Sequence, residues 1–227
     1  QSGVAHRDVK PDNVILTAKD DRQDFVKLVD FGIATIMKSA GRQKTGRGCT
    51  PGYAPPEQIL GEAFDERLDV YALGCTLYQF LTGRPPHEGS PREVLHKQLE
   101  LTPFPPSEYV EGLPPGLDDV LMRCMAKAPE ARFSDMRDLE AALCEAQIAA
   151  GLRTDWDDLP LPQVEPERLA QLEARMPKAD GEQGRKRWLL PALALSALMA
   201  VGVAYSLGQS DEVAAVETQE DRLADTA

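Results

Sequence analysis

The residues best equipped for chemistry lie at the start of the chain, in His6-Arg7-Asp8-Val9-Lys10-Pro11-Asp12-Asn13. A carboxylate, an amine and an amide fall within one short loop there, and a second carboxylate follows in Asp30-Phe31-Gly32. Carboxylate and amide oxygens are the ligands that hard divalent cations prefer. Five residues separate Asp8 from Asn13, so one tight loop can turn both toward the same partner. The β-rich run Phe25-Val26-Lys27-Leu28-Val29-Asp30 reads as a short strand that brings Asp30 alongside. A His-Arg-Asp triplet by itself would be a turn with a local salt bridge; the ordered set of Lys10, Asn13 and Asp30 argues for more.

These groups need a scaffold, and the pattern after them is mostly helical. Residues 69–82 form an almost wholly apolar run of helical length, ended by Gly83 and Pro85-Pro86. Such a helix is too short to span a bilayer and belongs at a domain centre. Leu117–Met125 is a second helix, with Leu117, Val120, Leu121 and Cys124 on one face. Ser134 opens a third, whose stripe is Leu139, Ala142, Leu143 and Ala146. Prolines crowd residues 103–115, which read as loop. Beyond Gly151 the chain becomes rich in Pro and in both charge signs, a linker with one short helix around 165–176.

The composition sets bounds. The 227 residues are 42% hydrophobic and 27% charged, which fits an ordinary globular class. A net charge of -12 argues against nucleic acid as a partner. The cysteines Cys49, Cys75, Cys124 and Cys144 have no CxxC spacing and no partner histidines, so neither a zinc site nor a disulfide framework is expected.

The loop and Asp-Phe-Gly together match the catalytic-loop and metal-binding signatures of the protein kinase family, which the chain resembles from Gly3 to about Ala149. A Lys two residues after the Asp resembles the serine/threonine branch. The resemblance implies an α+β fold, the mainly helical C-terminal lobe of a kinase with a short β-hairpin region. It implies ATP and Mg2+ as cofactors and protein Ser/Thr hydroxyls as acceptors. Asp8 would take the hydroxyl proton, Lys10 would offset phosphate charge, and Asn13 and Asp30 would hold magnesium.

A second block, Gly48-Cys49-Thr50-Pro51-Gly52-Tyr53-Ala54-Pro55-Pro56-Glu57, is similar to the end of a kinase activation segment. It departs from that pattern at Pro55, where Ala is usual, and at Cys49, where Gly is more common. The resemblance implies that Thr50 bonds Asp8 and Lys10, and that Glu57 forms a buried ion pair with Arg132. Asp69 reads as a helix-start carboxylate, and the family adds that it braces the catalytic loop from below. Arg7 before Asp8 implies an activating phosphate in the loop, which the reading assigns to Thr45.

Residues 188–207 carry no charge, and twenty helical residues at ~1.5 Å each give about 30 Å, the thickness of a hydrocarbon core. Trp188 and Tyr205 lie near its ends. Arg185-Lys186-Arg187 precedes it, and an acidic tail, 208–227, follows. The positive-inside rule puts the lobe in the cytoplasm and the tail outside. The expected organisation is therefore a lobe over 1–149, a juxtamembrane linker over 150–187, a transmembrane helix over 188–207 and a short extracytoplasmic tail. Bacterial membrane-bound kinases share this order, which implies a cell inner membrane. Ala192, Ser196, Ala200 and Ala204 recur every fourth residue, so a homodimer suited to trans-autophosphorylation stands as one alternative beside a monomer.

A kinase also needs a Gly-rich loop, a strand lysine and its glutamate partner, and none is found from Gln1 onward. The expectation is a longer parent chain whose N-terminal lobe lies upstream, with this piece inactive in isolation. The alternative is a non-catalytic kinase-like protein that docks kinase substrates or partners; a mere platform for the anchor is weaker.

Overall fold

The computed structural model describes residues 4–19, 22–29, 35–36, 50–114, 116–151 and 164–176. At the centre is the apolar run, which forms a helix over Arg67–Thr82 (α2). Leu68, Val70, Tyr71, Leu73, Cys75, Leu77 and Tyr78 are all buried, so the helix is enclosed on every side, the arrangement its composition predicts. It starts at Arg67 rather than Asp69. The N–H of Arg67 donates to the Asp65 carboxylate at 3.0 Å, ahead of the first turn.

Two more helices pack on α2 in sequence. Leu117–Cys124 (α4) lies directly against it, and Met136–Ala149 (α5) lies against α4. The α2–α4 crossing is close because Gly74 has no side chain: a Cβ there would stand 2.5 Å from Cys124 Cβ. Leu121, Cys124, Phe133, Leu139 and Leu143 fill the shared core. Cys75, Cys124 and Cys144 are buried, and desolvation pushes the Cys75 thiol up to about 12 and the other two further in the same direction. They are packing residues, neutral at any physiological pH.

The third helix differs from expectation at its start. Asp135, not Ser134, caps α5, accepting from the N–H groups of Arg137 and Asp138 at 2.9 Å each. The linker's short helix is Pro166–Arg175 (α6), and it lies on α5. Leu172 is buried there, while Arg168 donates to Asp138 at 2.6 Å and to Glu145 at 2.8 Å.

Two helices escaped the pattern reading. Pro56–Leu60 (α1) is too short to show a period. Pro91–Glu100 (α3) does carry a start signal: Ser90 and Glu93 form a reciprocal capping box, with Pro91 at the first helical position. Of the Pro-rich stretch 103–115, the described residues 103–114 are loop except for a short turn of 3-10 helix at Pro106–Glu108.

The strands lie at the loop end of the lobe. Val14–Lys19 (labelled β2) and Arg22–Leu28 (β3) form an antiparallel hairpin with Val14 opposite Leu28 and Leu16 opposite Val26. Strand β3 covers earlier residues than the run 25–30 suggested. Val4–Ala5 (β1) pairs antiparallel with Thr35–Ile36 (β4), with Val4 opposite Ile36 and Ala5 opposite Thr35. Among the described residues no helix is long and apolar enough to cross a membrane; residues 188–207 and the tail lie outside them.

His87, in the α2–α3 connection, is 8% exposed. Its burial, with Lys127 and Lys97 adding repulsion, lowers its pKa from 6.5 to about 4. Between those values the unfolded chain binds the extra proton. Stability is therefore complete above about pH 6.5 and is lost as pH falls toward 4. In the intact protein, His87→Phe should shrink the drop in urea midpoint between pH 7 and pH 5; an unchanged drop would contradict this assignment.

Candidate active site

The segment between β1 and β2 carries the reactive groups, and its shape is imposed from below. Arg7 has φ 71°, a left-handed conformation unusual for a non-glycine residue. Such a residue costs on the order of 1–3 kcal/mol unless its surroundings hold it. Asp69, fully buried in the first turn of α2, supplies the hold. Its Oδ2 accepts from the His6 N–H at 2.7 Å and its Oδ1 from the Arg7 N–H at 2.8 Å. The Gln58 side chain donates to the Arg7 carbonyl at 3.4 Å. The Arg7 guanidinium lies 5.1 Å from the Phe64 ring centroid.

Above this anchor four side chains converge. Lys10 Nζ donates to Asp8 Oδ2 at 2.6 Å and to Thr50 Oγ1 at 3.1 Å. The Thr50 hydroxyl donates to Asp8 Oδ1 at 3.1 Å, closing a ring of three residues. Asn13 Nδ2 donates to the Asp8 carbonyl at 2.8 Å and to Oδ2 at 3.2 Å. Asn13 reaches that position through a turn of 3-10 helix over Pro11–Asn13, and its carbonyl accepts from the Val29 N–H at 2.9 Å, which ties the loop to the end of β3. Both oxygens of Asp8 thus face donors, an arrangement that orients a carboxylate to receive a hydroxyl proton.

The cation question turns on Asn13 and Asp30. With its nitrogen committed to Asp8, the Asn13 amide has only its oxygen for a further ligand, the hard donor that magnesium takes. Asp30, Thr45, Cys49 and most of the segment between them lie outside the described residues.

A second cluster fixes the segment after Thr50. Arg132 donates through Nη1 and Nη2 to the two Glu57 oxygens at 2.7 and 2.8 Å. Its remaining N–H groups go to the carbonyls of Ala126, Arg67 and Lys127 at 2.8, 3.1 and 3.0 Å, so all five guanidinium donors are used. Both residues are buried, and the guanidinium also lies 4.8 Å from the Tyr71 ring centroid. Lys127 Nζ reaches the Tyr71 hydroxyl at 3.4 Å, and desolvation lowers its pKa to about 8.

Sequence reasoning missed Gln58 and Gln98, two fully or nearly buried amides in this cluster. A signal for the second existed: Gln98 lies four residues after the buried Val94, a polar residue on the inward face of α3.

A helical lobe of this kind, with a small antiparallel sheet and a bonded Asp-Lys-Thr-Asn group at its edge, has the protein kinase fold. Residues 1–145 match the protein kinase domain, and the chain belongs to that family. It is similar to serine/threonine-protein kinase PknB of Mycobacterium tuberculosis, 42% identical over 147 residues, 63% of this chain and 23% of that protein. PknB of Mycolicibacterium smegmatis is 34% identical over 218 residues, 88% of this chain and 34% of that protein. Serine/threonine-protein kinase Pkn1 of Myxococcus xanthus is 41% identical over 146 residues, 62% of this chain and 21% of that protein. The chain therefore spans about a fifth to a third of the length of these curated relatives.

Proposed function

We propose that the protein containing this chain transfers the γ-phosphate of ATP to serine and threonine hydroxyls of other proteins. The observation that carries the reading is the closed group of Asp8, Lys10, Thr50 and Asn13, since phosphoryl transfer depends on positioning and charge neutralisation. Asp8 orients the acceptor hydroxyl and takes its proton. Lys10, a point charge beside that carboxylate, offsets the charge of the transferred group. Thr50 holds both in register. Asn13 and Asp30 are the residues that would hold magnesium, which when bound neutralises phosphate charge. The names of the relatives, serine/threonine-protein kinases, support the choice of acceptor. A phosphate on Thr45 would complete the site by neutralising Arg7.

The same proposal extends to location. The lobe over 1–149 is held by the linker 150–187 to a transmembrane helix at 188–207 in a bacterial inner membrane, with the basic Arg185-Lys186-Arg187 on the cytoplasmic side and the tail 208–227 outside. Homodimers through the small residues of the span would serve trans-autophosphorylation.

One preparation tests these points. The intact protein should stay with membranes through an alkaline carbonate wash. After detergent extraction with Mg-ATP, it should label Ser and Thr peptides but not Tyr peptides, with Thr45 among its own phosphorylated residues. A folded intact protein that transfers nothing would leave a docking role in place of catalysis. Release by carbonate would remove the anchor, and active protein unmodified at Thr45 would remove the phosphosite.

A further inference from the structure

Thr50 is followed by a turn at Pro51–Tyr53 that belongs to no strand or long helix. Its internal backbone bond is Tyr53 N–H to the Thr50 carbonyl at 3.1 Å. What holds it to the lobe is side-chain bonding from two glutamines. Gln79 of α2 accepts from the Tyr53 hydroxyl at 2.5 Å. Gln98 of α3, with no exposed surface, donates through Nε2 to the Gly52 carbonyl at 2.7 Å and the Pro51 carbonyl at 3.5 Å.

A buried amide must have partners at both ends, and Gln98 does. Its Oε1 accepts from the Tyr71 hydroxyl, so the nitrogen is forced toward the turn. Tyr71 in turn lies against the Arg132 guanidinium that pairs with Glu57. Gln98 thus bonds both Tyr71, whose ring lies against the buried ion pair, and the two residues that follow Thr50.

We propose that Gln98 is a positioning residue for phosphate transfer: it sets the turn at Pro51–Gly52 and so places the Thr50 hydroxyl between Asp8 and Lys10. The proposal rests on the kinase reading above. Its logic is geometric. The Thr50 hydroxyl meets Asp8 and Lys10 at 3.1 Å each, with no slack for a displaced backbone. Without the Gln98 donor, the two carbonyls lose a buried partner and the turn relaxes toward solvent. A misplacement of about 1 Å at a reacting group costs on the order of 100-fold in rate, so a partial shift should be visible.

The test uses the intact protein with two substitutions. Gln98→Met keeps length and volume and removes both bonds. Gln98→Glu keeps the acceptor for Tyr71 and removes the donor to Gly52. Both should lower kcat/KM for a Ser/Thr peptide by about tenfold or more, with KM for ATP unchanged. Amide exchange should quicken at Tyr53, whose N–H closes the turn on the Thr50 carbonyl, while the α2 amides stay protected. Lys97→Ala, on the same helix but outside this network, should change neither reading. Peptide kcat/KM and Tyr53 exchange both within twofold of wild type, in a folded Gln98→Met protein, would overturn the proposal. If the wild-type protein transfers no phosphate, the kinase reading fails, and the exchange measurement still decides whether Gln98 sets the turn.

Discussion

Asp8→Asn in the intact protein should lower phosphate transfer by about 10²–10⁴-fold, the range that a positioned acid or base contributes, and leave the melting temperature nearly unchanged. The carboxylate accepts at both oxygens, from Lys10 and Asn13 on Oδ2 and from Thr50 on Oδ1. An asparagine amide keeps one oxygen but replaces the other by an NH2 group, which can neither take a hydroxyl proton nor face the Lys10 ammonium comfortably. The loop itself should survive. Its anchor is the bond pair from Asp69 to the His6 and Arg7 backbone, and the Asp8 carbonyl that receives Asn13 is untouched by the substitution. Steady-state kinetics with ATP and peptide varied separately, beside a thermal melt, make the check. A folded variant within fivefold of wild-type kcat would remove Asp8 from the role of base.

Arg132→Ala should be among the most destabilising single changes in the lobe, at about 3–5 kcal/mol. The substitution strands Glu57, which is 4% exposed, as an unpaired buried charge. It also strips a partner from the carbonyls of Ala126, Arg67 and Lys127 and removes the guanidinium, though not the Lys127 ammonium, from the Tyr71 ring. The large figure measures the broken pair rather than its net worth, because desolvation offsets most of the attraction between intact partners. A double-mutant cycle separates the two quantities. Glu57→Met with Arg132→Met should cost less than the sum of the single changes, because neither charge is left alone. Urea unfolding of the intact protein would measure each. A loss below about 1 kcal/mol for Arg132→Ala, the value typical of an exposed pair, would mean that Glu57 is reached by water.

The residues of the first expectation were legible before any fold was known, and the reason is local; the Glu57–Arg132 pair, 75 residues apart, was legible only through the family resemblance. Asp8, Lys10 and Asn13 work through spacing within one loop, so their types and intervals are visible in a linear text. The apolar run from Asp69 to Thr82 likewise announces a buried helix, because a helix without a polar face has nowhere else to go. The α4 and α5 stripes appear for the same periodic reason, and α5 misled by only its cap, since Ser134 and Asp135 are both good capping residues and backbone geometry chose between them.

Contacts across the chain were readable only through the family resemblance, or not at all. Asp69 by its position alone looks like an ordinary helix-start carboxylate; only the resemblance placed it under the loop, where its bonds to His6 and Arg7 exist once α2 runs beneath. The left-handed Arg7 carries no signature, since nothing in its side chain favours φ 71° and only the surrounding hydrogen bonds impose it. Gly74 is one residue of an apolar run in the sequence; only the structure shows α4 crossing it with no room for a methyl group. Gln98 went unremarked in the sequence, and its role is visible only where Tyr71 and the Gly52 carbonyl take its two ends. By itself, the order of residues determined which groups are available and which stretches must be buried, because composition and period act over a few turns. The tertiary structure alone decided how Thr50 comes to stand beside Asp8 and Lys10, because that meeting joins segments forty residues apart through helices that neither segment contains.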